Sequence, residues 1–471
     1  MVALRWIMGM LMVAGTATAQ LPEMETSVDD QSEVAITVYN NGQALVRDVR
    51  RITMPDGDLA LRFADVAQQI RPETVGLRSL SAPGSVAILE QNYEYDLISP
   101  DKLMEKYVGK RVILRNYHKD IGFESIEAEL ISVNNGPVYR VDGQIFLGHP
   151  GQVVLPEIPE NLIAKPSLIW QLRNEGAEQE LEVTYLTNGV SWKADYVLTL
   201  DRNDEQMDLS GWVTMDNRSG ATYHDAQIKL VAGDVNIVRE AMMGMGGGMM
   251  DQAMMARASA EMMPQQEAFA EFHLYTMPRR STVAQNQTKQ LALLSASNIA
   301  CEKVYEFRGQ PQFFYQRIPQ FPDQRVTVFV EFENEEANNL GMPLPGGIMR
   351  IYQEDSQGML QFAGEDRIQH TPRNEKVRLR MGNAFDVVGE RTQMDYRIIA
   401  TNVHESAYEI SIRNRKETAE TVEVIEPMPG DWEILESSHD YEKRDARTAV
   451  FSIDVPADTE VKVTYRVRVR H

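Results

Sequence analysis

The stretch GEDRIQHTP sets two carboxylates, Glu365 and Asp366, close to an imidazole, His370, and Asp386 and His404 follow along the chain. A carboxylate near a histidine can orient the ring, share its proton or join it in holding a divalent metal. That combination makes an envelope hydrolase or a metal site conceivable over residues 365–404. Acidic side chains are abundant, 69 in 471 residues, so proximity alone says little. The competing expectation, which the composition favours, is a polar loop whose side chains hydrogen-bond their own backbone.

A second kind of chemistry is written in AMMGMGGGMMDQAMMARASAEMM, from Ala241 to Met263. Its nine methionines are Met242, Met243, Met245, Met249, Met250, Met254, Met255, Met262 and Met263. Thioethers are soft ligands suited to Cu(I). They also make adaptable apolar contacts with a partner or a membrane surface. The GMGGG run provides no fixed frame for a ligand set, because ordering glycine costs more backbone entropy than ordering any other residue. The expectation is first a solvent-exposed low-complexity loop, spanning about residues 241–266 and dispensable for folding. Partner contact ranks second and soft-metal binding third.

Little else in the chain is suited to catalysis. None of the eight histidines pairs with another at metal-ligand spacing, and no HExxH, GxSxG, phosphate loop or dinucleotide fingerprint occurs. Ser438, His439 and Asp440 are consecutive. Read as strand residues they point alternately to opposite faces, which denies them a relay. Cys301 is the one cysteine, so no internal disulfide can form. Beside acidic Glu302 in a strand-like stretch, it is expected to be a small buried apolar residue rather than a reactive thiol. No catalytic residue, cofactor or metal is assigned from these signals.

The elements that would position such residues are strands. VAITVYNNGQALVRDVRRITMP reads as a hairpin around Asn40-Asn41-Gly42. EVKVTYRVRVRH alternates without a fault: Val461, Val463, Tyr465, Val467 and Val469 share one face, and Lys462, Thr464, Arg466, Arg468 and Arg470 the other. A strand of that kind has one buried and one wet side, as in an antiparallel sandwich. The single helix signal is SPDKLMEKYVG, with Ser99 as cap, Pro100 in first position and Gly109 as stop. In GNAFDVVGER, Gly382 and Gly389 bracket an apolar strand that carries Phe385, with Asp386 serving a turn or a ligand.

The predicted fold is mainly β: multi-domain antiparallel β-sandwiches with an immunoglobulin-like C-terminal domain and a small SH3-like barrel insertion. The expected organisation is a leader at 1–19, an acidic tether at 20–32 and an N-terminal sandwich at 33–98 that resumes at about 159–205. The small barrel occupies 99–158, a central sandwich 206–372 and the immunoglobulin-like unit 373–471. The leader rests on Arg5, the apolar run Trp6–Gly15 and the small-residue pattern Ala17-Thr18-Ala19, which places cleavage after Ala19. That run is shorter than the ~20 residues a spanning helix needs. A formal charge of −22 would repel polyphosphate, which argues against nucleic-acid binding.

Several motifs in order, YLTNGVSWKADYVLTL, DLSGWVTMDNRSGATYHDAQIKLVAGDVN, GMPLPGGIMRIY, GEDRIQHTPRNEKVRLRMGNAFDVVGER and IRNRKETAETVEVIEPMPGDWEI, resemble the domain-of-unknown-function 4139 family. The resemblance covers roughly residues 180–471. It implies a bacterial exported protein with a β-rich fold and an immunoglobulin-like end, and it implies no activity. The resulting expectation is a periplasmic or secreted envelope protein that acts by binding or as a structural module. Its expected partner is another envelope protein or a glycan, and no membrane span is expected after leader removal.

Overall fold

The computed structural model of the chain describes residues 21–118, 122–149, 151–159, 162–233, 265–269, 272–322 and 324–470. The leader and the methionine-rich stretch lie outside the described residues.

The protein is mainly β, with antiparallel-rich sheets packed as sandwiches. Strands Gln31–Tyr39 and Gln43–Thr53 pair as a hairpin, and Gly42 takes φ +88° in its turn. Glycine adopts that left-handed backbone without steric cost. Along the first strand Val34, Ile36 and Val38 are buried and the residues between them are not, so alternation selects the inward face. This hairpin lies inside an eight-stranded sheet that also holds Glu178–Asn188, Tyr223–Ala232 and Phe272–Thr276. A four-stranded sheet containing Gly57–Ala64, Val86–Glu94 and Ser167–Asn174 shares the same core. A five-stranded sheet of Gln287–Ala300, Gln206–Asn217, Val190–Leu200, Gly347–Glu354 and Leu360–Ile368 joins that core too.

These strands cross the boundary expected at residue 206. Tyr223–Ala232 runs parallel to Gln31–Tyr39, with Ile228 opposite Ile36. Val190–Leu200 runs parallel to Gly347–Glu354, with Tyr196 opposite Met349. One continuous apolar cluster therefore extends from Val34 to Leu379. Gly347 makes the second pairing possible: a Cβ there would lie 2.3 Å from the Ala194 carbonyl oxygen.

The C-terminal sandwich likewise begins earlier than residue 373. Glu302–Arg308 and Thr327–Glu333 enter its six-stranded sheet, the first of them parallel to Glu420–Pro427. The facing sheet is Val387–Ala400, Val403–Asn414, Thr459–Arg470 and Asp431–Ser437. Phe307, Phe313, Phe314, Tyr408, Phe451 and Tyr465 fill the space between them. In Thr459–Arg470, Val463, Tyr465, Val467 and Val469 are buried as the alternation predicts.

A smaller unit interrupts the first sandwich between Val86–Glu94 and Ser167–Asn174, which pair with each other. It consists of helix Pro100–Lys106 and a five-stranded antiparallel sheet around Tyr107, Val112, Leu114, Leu130 and Tyr139. Ser99 Oγ accepts the Lys102 N–H at 3.2 Å and caps the helix, as its sequence predicts. Among the described residues no helix is long and apolar enough to cross a membrane.

Candidate functional site

Of the acids and histidines singled out from sequence, Glu365, Asp366, His370 and His404 are each engaged by a different neighbour. Glu365 sits opposite Arg350 on the adjacent strand and pairs with its Nε at 3.4 Å. Arg350 also reaches Asp195 at 3.1 Å. The Asp366 carboxylate accepts two backbone N–H groups, from Arg380 at 2.7 Å and Arg367 at 2.8 Å. His370 Nδ1 accepts the Gly346 N–H at 3.0 Å, and its Nε2 lies 3.4 Å from Asn40 Nδ2. This ring therefore ties the Pro343–Gly347 approach to the end of the first hairpin. His404 Nδ1 lies 2.7 Å from the Tyr396 hydroxyl, with the two rings stacked. Asp386 is exposed and no hydrogen bond or ion pair of its side chain is found among the described residues. Among those residues, no group of three or more histidines, cysteines or acids could hold a metal ion. The nine methionines named above fall outside the described residues.

Two other sequence readings meet the structure here. Ser438 and His439 are not strand residues, because the strand ends at Ser437. In the turn that follows, Ser438 Oγ comes to 2.9 Å from His439 Nδ1 and accepts the Thr464 N–H at 2.8 Å. The alternation rule fails at this point because the backbone has left the extended conformation. The pair is a surface turn contact, with Ser438 exposed. Cys301 is half-buried, and burial, reinforced by Asp201 and Asp204, pushes its thiol up to about 12. A thiol raised in this way carries little thiolate near neutrality, the form that attacks.

His273 supplies a pH dependence. Burial, with His370 as a nearby like charge, holds its imidazole below the ordinary value. As pH falls through the normal imidazole range, near ~6.5, the unfolded chain takes the proton before the folded one. Stability is full above that range and declines below it. The thermal midpoint is expected to fall between about pH 7.5 and about pH 5.5, and less steeply in His273→Gln. Equal slopes for the two proteins would remove His273 from this account.

A cleft of about 260 Å³ lies where the large core meets the C-terminal sandwich. Val328, Ala363, Met381 and Val387 give it an apolar floor. Lys303, Tyr305 and Lys416 line it together with Asn383, Phe385 and Asp386. Lys303 Nζ is 2.5 Å from Asp204 Oδ2. Lys416 donates to the Tyr305 hydroxyl at 2.9 Å and pairs with Glu420. The apolar strand expected around Phe385 is instead a connection between two sheets. One strand closes at Asn383 and the next opens at Val387. Phe385 is left 92% exposed at the rim. Gly389 is used for packing: a Cβ there would meet the Phe307 ring at 2.4 Å.

Neither a protein-family model nor a curated protein matches this chain.

The geometry therefore carries the functional reading. Asp386 was visible in the sequence as a possible ligand. Lys303, Tyr305 and Lys416 were not, since they reach the same cleft from strands and turns far apart in the chain.

Proposed function

We propose that this chain is an exported envelope protein that acts by binding, and that its working surface is the cleft beside Phe385. The observation that carries the reading is that residue's 92% exposure on the rim of an apolar-floored cleft. A folded chain gains by burying a phenylalanine, and aromatic anchors are enriched at the centres of binding surfaces. The floor offers a contact that an incoming group can dehydrate, and the polar rim gives it orientation. Export with cleavage after Ala19, and membership of the domain-of-unknown-function 4139 family, belong to the same proposal. The leader pattern and the ordered motifs between Tyr185 and Ile434 support them. The partner is another envelope protein or a glycan.

The test places a photo-crosslinking phenylalanine analogue at position 385 and, as a control, at Tyr441, an exposed aromatic on the C-terminal sandwich. Irradiated envelope preparations are expected to yield a discrete adduct from position 385 alone. Adducts from neither position, or from both alike, would remove Phe385 from the binding surface.

A further inference from the structure

We infer that the small inserted unit joins two copies of this chain, edge to edge, through the strand Gln144–Leu147. The inference is independent of the Phe385 cleft. Gln144–Leu147 is an end strand of the five-stranded sheet and pairs only with Val138–Val141. All four of its residues are exposed, Leu147 to 87%. None of them is charged. Exposed sheet edges are ordinarily guarded by charged side chains, because their free N–H and C=O groups accept another strand. The strand Glu442–Asp445, which ends the six-stranded sheet, carries a charge at every position. Gln144–Leu147 has no such guard.

The backbone geometry identifies the free groups. A two-residue turn, Asp142 at φ +47° and Gly143 at φ +81°, joins the strand to Val138–Val141. Beyond the strand the Gly148 N–H donates to the Pro137 carbonyl at 2.8 Å. Backbone groups in an antiparallel ladder point alternately toward and away from the partner strand. Gln144, Phe146 and Gly148 therefore face Val138–Val141, and Ile145 and Leu147 face outward. Among the described residues no strand or loop pairs with that side. A second copy related by a twofold axis through Phe146 brings Ile145 opposite Leu147 of that copy, and Leu147 opposite its Ile145. Four backbone hydrogen bonds then form, and every outward N–H and C=O of both strands is used. The same register places Ile145 beside Leu147 of the other copy on one face and the two Phe146 rings together on the other, a favourable cross-strand arrangement. Only two residues face outward, which is a short grip for an unrelated extended segment. In the twofold arrangement each contact is made twice.

The experiment is sedimentation equilibrium on residues 20–471, at physiological salt so that the charge of these acidic chains is screened. A reversible monomer–dimer equilibrium is expected, with a dissociation constant on the order of micromolar, as suits a small interface. Leu147→Pro removes an outward N–H from each copy, and the ladder with Val138–Val141 does not use it. Proline is tolerated at such an edge position. This variant should keep the parent's circular-dichroism spectrum and raise the dissociation constant at least about tenfold. A second measurement tests the register. The two Phe146 positions lie on the axis as a non-hydrogen-bonded pair, with Cα atoms ~4.5 Å apart. In a glutathione redox buffer Phe146→Cys should form a covalent dimer. Gln144→Cys, which the axis sets opposite Gly148 of the other copy, should not, and neither should the parent, whose one thiol is Cys301. A chain that stays monomeric up to about 1 mM would overturn the proposal. So would a dimer that Leu147→Pro leaves intact and Phe146→Cys does not crosslink, since another surface would then hold it. Capture of a different protein by a monomeric chain, lost in Leu147→Pro, would overturn the second copy as the occupant of this edge.

Discussion

Replacing Arg391 by methionine is expected to destabilise the C-terminal sandwich by about 3–5 kcal/mol. Arg391 and Glu426 form an ion pair in which both side chains are 0% exposed. The guanidinium also donates to Gln324 Oε1 at 2.6 Å and lies 5.0 Å from the Phe307 ring centroid. Burial pushes the Glu426 carboxyl upward, and the charge and hydrogen bond of Arg391 hold it down against that push. Removing the arginine leaves a carboxylate with no water and no countercharge. The pair is not satisfied in full, since Glu426 Oε2, Arg391 Nε and Gln324 Nε2 make no hydrogen bond. Desolvation therefore offsets most of the attraction between the two charges. The double variant Arg391→Met with Glu426→Leu should recover most of the loss of the single one. Urea unfolding of the two variants and the parent measures this. A loss under about 1 kcal/mol in Arg391→Met would mean that water reaches the pair.

Trp170→Ala should cost a similar ~3–5 kcal/mol, in the other core. Trp170 is 0% exposed, packs edge-on to Phe63 at 5.9 Å, and donates its Nε1–H to Gln91 Oε1 at 2.8 Å. No neighbouring side chain can fill an indole-sized gap at the middle of a close-packed sheet. The apolar cluster around Trp170 and the one around Arg391 are distinct. Each variant should therefore loosen its own core first. Hydrogen exchange resolved along the chain is the measurement. Trp170→Ala should speed exchange in Ser167–Asn174 and Gly57–Ala64, and Arg391→Met in Val387–Ala400 and Glu420–Pro427. Uniform acceleration along the whole chain in either variant would mean that the two cores unfold as one.

What the sequence determined by itself is local. Alternation of side chains named the buried face of Thr459–Arg470. Asn40-Asn41-Gly42 named a hairpin, and Ser99-Pro100 the start of a helix. Each follows from constraints acting within a few residues: steric limits on φ, a capping oxygen, and the two-residue period of a strand. Partner choice is a different quantity. A strand's pattern states which face seeks an apolar surface and leaves open which surface that is. Parallel pairing of Tyr223–Ala232 with Gln31–Tyr39, or of Glu302–Arg308 with Glu420–Pro427, joins segments more than a hundred residues apart. Those choices merged two expected sandwiches into one core and drew the third back beyond residue 373. They also decided the candidate site. Glu365, Asp366 and His370 are close in the chain, yet strand register gave each a separate partner. Lys303, Phe385 and Lys416 are far apart in sequence and meet at one cleft, because two cores that grow from different strand pairings must touch somewhere along a seam. Side-chain period is fixed by the geometry of a single backbone. The position of a seam is fixed only when many faces compete to be buried at once.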